Sequence, residues 1–121
     1  MATHVLLLPY PPSANANWRH GQGRVYLAEP VKRFRAAVKA AMAAQRPGRP
    51  PVAGALAVTV EATPPARKRK RDLSNLLKAT EDALTHAGFW LDDSQTQDLR
   101  ICWMPPEGDG RLVVKVKELA E

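Results

Sequence analysis

The segment Leu73–Ala87 constrains the fold more than any other stretch of the chain. At 100° per residue, Leu73, Leu76, Leu77, Thr80, Leu84 and Ala87 fall within about one third of a helical circumference. Asn75, Lys78 and Asp82 project from the opposite side, and Gly88 stands where a left-handed residue would close the helix. A helix with one apolar stripe must bury it, and its neighbours in sequence offer the surface. Leu56, Val58 and Val60 before it alternate with smaller or polar residues, and Leu99, Ile101 and Trp103 alternate after it. Both segments read as strands. If they run parallel, the connection through the helix is a right-handed crossover.

Prolines divide most of the remainder. His4–Leu8 reads as a short strand stopped by Pro9, Pro11 and Pro12. Ser13–Gly23 is loop-like, rich in Asn and Gly, and carries Trp18, Arg19 and His20; Val25–Leu27 is a further short strand. Pro30 suits the first turn of a helix whose apolar residues Val31, Phe34, Val38, Ala41 and Met42 recur at helical spacing. That helix ends before Pro47, and 46–51 is a linker. Thr63-Pro64-Pro65 ends the middle strand, Pro105–Gly110 forms a turn, and Leu112, Val114 and Val116 make the last strand. The expected fold is α+β: a small mixed β-sheet packed with two main α-helices, in a single domain over residues 1–121.

A chain of this size buries roughly two thirds of its unfolded surface, enough to fold without disulfides or structural zinc. Its one cysteine, Cys102, lies in an apolar stretch and reads as a buried, inert thiol. Phe89 and Trp90 read as core or interface, and the scattered His4, His20 and His86 suggest no metal site. No apolar run approaches the ~20 residues of a membrane span. The opening Met1–Leu8 lacks the basic start of a signal peptide. A cytoplasmic protein without a membrane partner is expected.

Charge narrows the function. Eighteen Lys and Arg against twelve Asp and Glu give +6, and Arg67-Lys68-Arg69-Lys70-Arg71 accounts for most of that excess. Such a run either grips phosphates or is a solvated loop. Acids follow at once: Asp72, Glu81, Asp82, Asp92, Asp93 and Asp98. A bare carboxylate ~4 Å from a phosphate costs roughly 1 kcal/mol in water and about 4 kcal/mol at an effective dielectric of 20. A divalent cation between them reverses the sign, and hard carboxylate oxygens suit Mg²⁺. Each candidate also has a local reading. Asp72 or Ser74 caps a helix, Asp92-Asp93-Ser94 makes a turn, and Lys78 and Asp82 form an i,i+4 surface pair.

Two stretches together resemble the RusA family of Holliday junction resolvases. The first is Pro11-Pro12-Ser13-Ala14-Asn15 followed by Trp18-Arg19. The second is Arg71-Asp72-Leu73-Ser74-Asn75-Leu76-Leu77-Lys78-Ala79, continuing through Asp82-Ala83-Leu84 to Ala87-Gly88-Phe89-Trp90-Leu91-Asp92-Asp93 without a gap in spacing. The resemblance implies a homodimer that binds four-way junction DNA and nicks two opposing strands symmetrically, using Mg²⁺ or Mn²⁺, in DNA recombination and repair. It makes Asp72 and Asp93 catalytic metal-holding aspartates and Lys78 the lysine that stabilises charge on the phosphate. Arg67, Lys68, Arg69, Lys70 and Arg71 become DNA-binding residues, Arg19 with Trp18 and the 11–15 segment meets DNA or the dimer partner, and Asn75 orients Asp72 or the phosphate. Ser74 stands where the family carries an aspartate. A hydroxyl can ligate the metal but removes a full negative charge, so weaker metal binding is the minimum expectation. The competing expectation is a junction-binding protein in which cleavage is impaired or lost.

Overall fold

The computed structural model describes residues 2–12, 18–21, 24–27, 29–66 and 72–119, and gives no side-chain detail for 18–21 or 24–27. Its elements, in chain order, are β1 (Thr3–Leu8), β2 (Trp18–Gly21), β3 (Arg24–Leu27), α1 (Glu29–Gln45), β4 (Leu56–Thr63), α2 (Leu73–Ala87), a 3-10 turn (Asp93–Gln95), β5 (Thr96–Trp103) and β6 (Arg111–Glu118).

Four strands form one mixed sheet in the order β1-β6-β4-β5. β6 runs antiparallel to both β1 and β4, while β4 and β5 are parallel, as a strand–helix–strand unit permits. The register places Leu6, Val114, Val60 and Ile101 in one row across all four strands. The adjacent row, Val5, Lys115, Thr59 and Arg100, points to the other face. The first row joins Phe34 and Val38 of α1 and Leu76, Ala83 and Leu84 of α2 in one core. Both helices therefore pack on a single face of the sheet. On the opposite face Lys115 and Glu61 form an ion pair at 3.1 Å.

Local chemistry explains the helix ends. α1 takes Pro30 into its first turn and stops ahead of Pro47. Its last residue, Gln45, donates from Nε2 to the Leu7 carbonyl and accepts the Leu7 N–H at Oε1, each at 2.8 Å. These bonds occupy main-chain groups of β1, a strand at the edge of the sheet. α2 spans the residues its periodicity predicts, and Gly88 closes it at φ 80°, donating to the Leu84 and Thr85 carbonyls. Phe89 and Trp90 follow directly into the core, at 0% and 2% exposure. Burial of side chains this size contributes roughly 1.5–3 kcal/mol each. The Trp90 indole N–H is satisfied by Thr85 Oγ1 at 2.7 Å.

Three expectations change. Trp18–Gly21 is a strand, not loop, pairing antiparallel with β3. A four-residue strand in a two-stranded ribbon is defined by main-chain pairing, which the side-chain pattern does not announce. Cys102 is half-buried, not buried, because β5 lies at the edge of the sheet. Ala79 and Ala83 are buried as well, so the apolar stripe of α2 is wider than its leucines alone outline. Among the described residues no helix is long and apolar enough to cross a membrane.

Candidate metal and phosphate site

Asp72 sits at the N-cap of α2 in an extended conformation, and its Oδ1 accepts the Ser74 N–H at 2.8 Å. The local reading of Asp72 as a cap thus holds, and its carboxylate remains exposed at the positive end of the helix dipole. Ser74 is exposed in the first turn, and Asn75 is half-buried beside it. At 100° per residue, Ser74, Lys78, Glu81 and Asp82 share about 100° of arc on one flank of α2.

Toward this flank comes the 3-10 turn carrying Asp93. The half-buried Asp93 carboxyl is held above the ordinary aspartate range, chiefly by burial and then by the negative charges of Asp92 and Asp82. Lys78 acts on it in the opposite direction. Glu81 is raised likewise, by burial first and then by Asp93 and Asp82, again opposed by Lys78. Asp92 behaves differently. Its Oδ2 accepts the Ser94 hydroxyl at 2.6 Å, which lowers its pKa and commits that carboxylate to the turn. The turn reading of Asp92-Asp93-Ser94 therefore describes Asp92 well, while Asp93, whose carboxyl also bonds that of Asp92, feels the charges on the flank of α2 as well.

The structure brings Asp93, Lys78, Asp82 and Glu81 into one electrostatic neighbourhood. Among the described residues, the charges that shift Asp93 are Asp92, Asp82 and Lys78, and Asp72 approaches from the N-terminal end of the same helix. Six residues of helical rise set Asp72 about 9 Å from Lys78 along the axis. Lys78 and Asp82 do not form an ion pair among the described residues. The Lys78 ammonium thus faces an excess of acid without being paired to one carboxylate. Arg67, Lys68, Arg69, Lys70 and Arg71 lie outside the described residues, as does the 13–17 stretch. Arg19 is placed only by its backbone, opposite Tyr26 in the β2–β3 ribbon.

Among the described residues, no three His, Cys, Asp or Glu side chains stand close enough to form a protein-only metal cage. Mg²⁺ does not need one, since one or two carboxylates commonly hold it while water and substrate phosphate complete the octahedron. The hard oxygens of the exposed Asp72 and Ser74 and of the half-buried Asp93 are donors of the kind this ion takes. Glu81 belongs to this neighbourhood, and in the sequence it stands out only as one of the acids that follow the basic run. Gln95 went unnoticed, because nothing local in the sequence marks it.

The model for the family described as "Endodeoxyribonuclease RusA" matches residues 9–117. The chain is 39% identical over 123 residues to the crossover junction endodeoxyribonuclease RusA of Escherichia coli (strain K12), covering 98% of both chains. It is equally similar to the protein of that name from Shigella sonnei (strain Ss046), at 39% over the same shares. The corresponding protein of Enterobacteria phage 82 is 38% identical over 123 residues, again with 98% of each chain covered.

Proposed function

Because the chain belongs to the RusA family of endodeoxyribonucleases, we propose that it binds four-way DNA junctions and resolves them by paired symmetric nicks, serving DNA recombination and repair. The relatives it matches along almost their whole length are named for crossover junction cleavage. The observation that carries the reading to particular atoms is the approach of Asp93 to the flank of α2 that presents Lys78. An acidic flank beside an ammonium that forms no ion pair among the described residues suits a phosphodiester held through a cation better than it suits a bare phosphate.

On this reading Asp72 and Asp93 hold Mg²⁺, or Mn²⁺ in its place, with the Ser74 hydroxyl as a neutral third donor. The ion would lower the pKa of a bound water and offset the charge on the phosphate. Lys78 lies on the flank where the scissile phosphate would sit and stabilises charge developing on its oxygens. Asn75 orients Asp72 or donates to the backbone, and Arg67–Arg71 with Arg19 hold the DNA strands by their phosphates. Two opposing strands of one junction call for two such sites, hence a homodimer built from single-domain protomers.

A second reading is favoured by one residue, Ser74. A hydroxyl in place of a carboxylate leaves the site one negative charge short, and a protein so altered would bind junctions while cutting them slowly or not at all. Incubation with a synthetic four-way junction in Mg²⁺ separates the two readings. Paired nicks at symmetric positions support the nuclease, and tight binding without nicks supports the binding protein.

A further inference from the structure

The side chain of Gln95 uses its whole hydrogen-bonding capacity on main-chain groups. Its Oε1 accepts the Leu91 N–H at 2.8 Å and the Asp92 N–H at 3.0 Å. Its Nε2 donates to the Val52 and Gly54 carbonyls, each at 3.0 Å. A carboxamide has two acceptor lone pairs and two N–H donors, and here all four are engaged. No other side chain of this size offers both sets at one end. Two N–H groups facing Oε1 and two carbonyls facing Nε2 also leave only one orientation of the amide.

The two regions it joins have separate reasons to be where they are. Val52 also donates its own N–H to the Phe89 carbonyl at 2.8 Å, so the loop before β4 is stitched to the residues following α2. Gly54 adopts φ +79°, a left-handed conformation that strains any residue with a Cβ. The Gln95 N–H closes the turn on the Asp92 carbonyl at 3.1 Å. Asp93 therefore lies between residues fixed from both sides: Asp92 by the Gln95 amide before it, and Gln95 by the sheet-side loop after it.

We propose that Gln95 is the positioning residue for Asp93, its amide anchoring the turn to the 52–54 loop so that the carboxylate is presented to the flank of α2. This rests on the reading of Asp93 as a metal-holding aspartate. With its amide committed to main-chain groups, Gln95 acts through the turn and not as a ligand. A free turn at this place would sample many carboxylate directions, and groups that orient metal ligands are typically worth about 10–100-fold in metal affinity or activity.

The test is Mn²⁺ titration of the isotope-labelled full chain by NMR, following paramagnetic broadening at Asp93, in the natural protein, Gln95→Glu and Gln95→Met. Glu keeps the acceptor oxygens but turns the two donors into a second oxygen facing carbonyls; Met keeps the length and removes every bond. A folded spectrum with roughly tenfold or more Mn²⁺ needed for the same broadening, and faster amide exchange at Leu91 and Asp92, is the expected result for both. Junction affinity measured without metal should stay within about twofold, since the Gln95 amide is fully committed to main-chain groups. Unchanged Mn²⁺ response in a folded variant, with only a lower melting temperature, would overturn the positioning role. Absence of any Mn²⁺ effect at Asp93 in the natural protein would instead overturn the assignment of Asp93 on which it stands.

Discussion

Asp72 Oδ1 accepts the Ser74 N–H at 2.8 Å, so the carboxylate proposed to hold metal is also the cap of the helix it opens. The two duties separate by substitution. Asn caps a helix about as well as Asp, so Asp72→Asn should melt within a degree or so of the natural protein while losing roughly a hundredfold or more of its cleavage rate. Asp72→Ala should lose both, with about 1 kcal/mol of stability gone with the cap. Thermal melts beside junction cleavage distinguish these outcomes. Equal stability loss in both variants would mean that the charge, rather than the cap, holds the helix start.

Asp93 and Glu81 provide the pH dependence. Burial first, and then neighbouring acids (Asp92 and Asp82 for Asp93, Asp93 and Asp82 for Glu81), raise both carboxyls above their ordinary values, so the folded state binds protons more tightly there than the unfolded chain does. Their unfavourable contribution is absent below the unfolded pKa and fully present above the folded one. Stability should therefore fall as pH rises through that interval. Asp93→Asn should stabilise the protein at neutral pH, by less than about 1 kcal/mol because solvent screens these partly exposed groups, and so melt at a higher temperature, while abolishing cleavage. Melts from acid to neutral pH should show the gap between variant and natural protein opening as pH rises.

Much of the fold around this flank was legible in the sequence, for local reasons. Leu73–Ala87 was bounded by its own stripe, by cap chemistry at Asp72 and by Gly88, and the structure returns those bounds. Phe89 and Trp90 read as core and are buried. What escaped depends on partners far along the chain. The strand Trp18–Gly21 is defined by pairing with Arg24–Leu27, and Gln95 acquires its meaning from carbonyls at Val52 and Gly54, 43 and 41 residues away. The meeting of Asp93 with Glu81 and Lys78 likewise follows from how the 3-10 turn folds back on α2, which no periodicity encodes.

The basic run should reveal itself through salt. If Arg67–Arg71 neutralises about five phosphates, junction affinity should fall several-hundred-fold between roughly 50 and 200 mM salt. Replacing Lys68 and Lys70 by Ala should reduce the slope of log affinity against log salt by about 1 for each. Fluorescence anisotropy of a labelled junction across that range measures it. An unchanged slope would assign the run to solvent.

Ser74 sets the balance between the two functional readings. Ser74→Asp returns a full negative charge to the first turn of α2, so the Mg²⁺ concentration for half-maximal cleavage should drop, by roughly tenfold for a restored charged ligand. Asp at this position also suits the helix N-terminus, so stability should not suffer. A Mg²⁺ requirement that does not move would remove residue 74 from the metal site.

The most direct measurement is cleavage of a synthetic four-way junction in Mg²⁺, beside a linear duplex of the same sequence and the Ser74→Asp variant. Paired nicks at symmetric positions in the junction, no cutting of the duplex, and faster nicking by Ser74→Asp are the predicted result. A chain that neither binds nor cuts the junction, with Ser or Asp at position 74, would contradict the account.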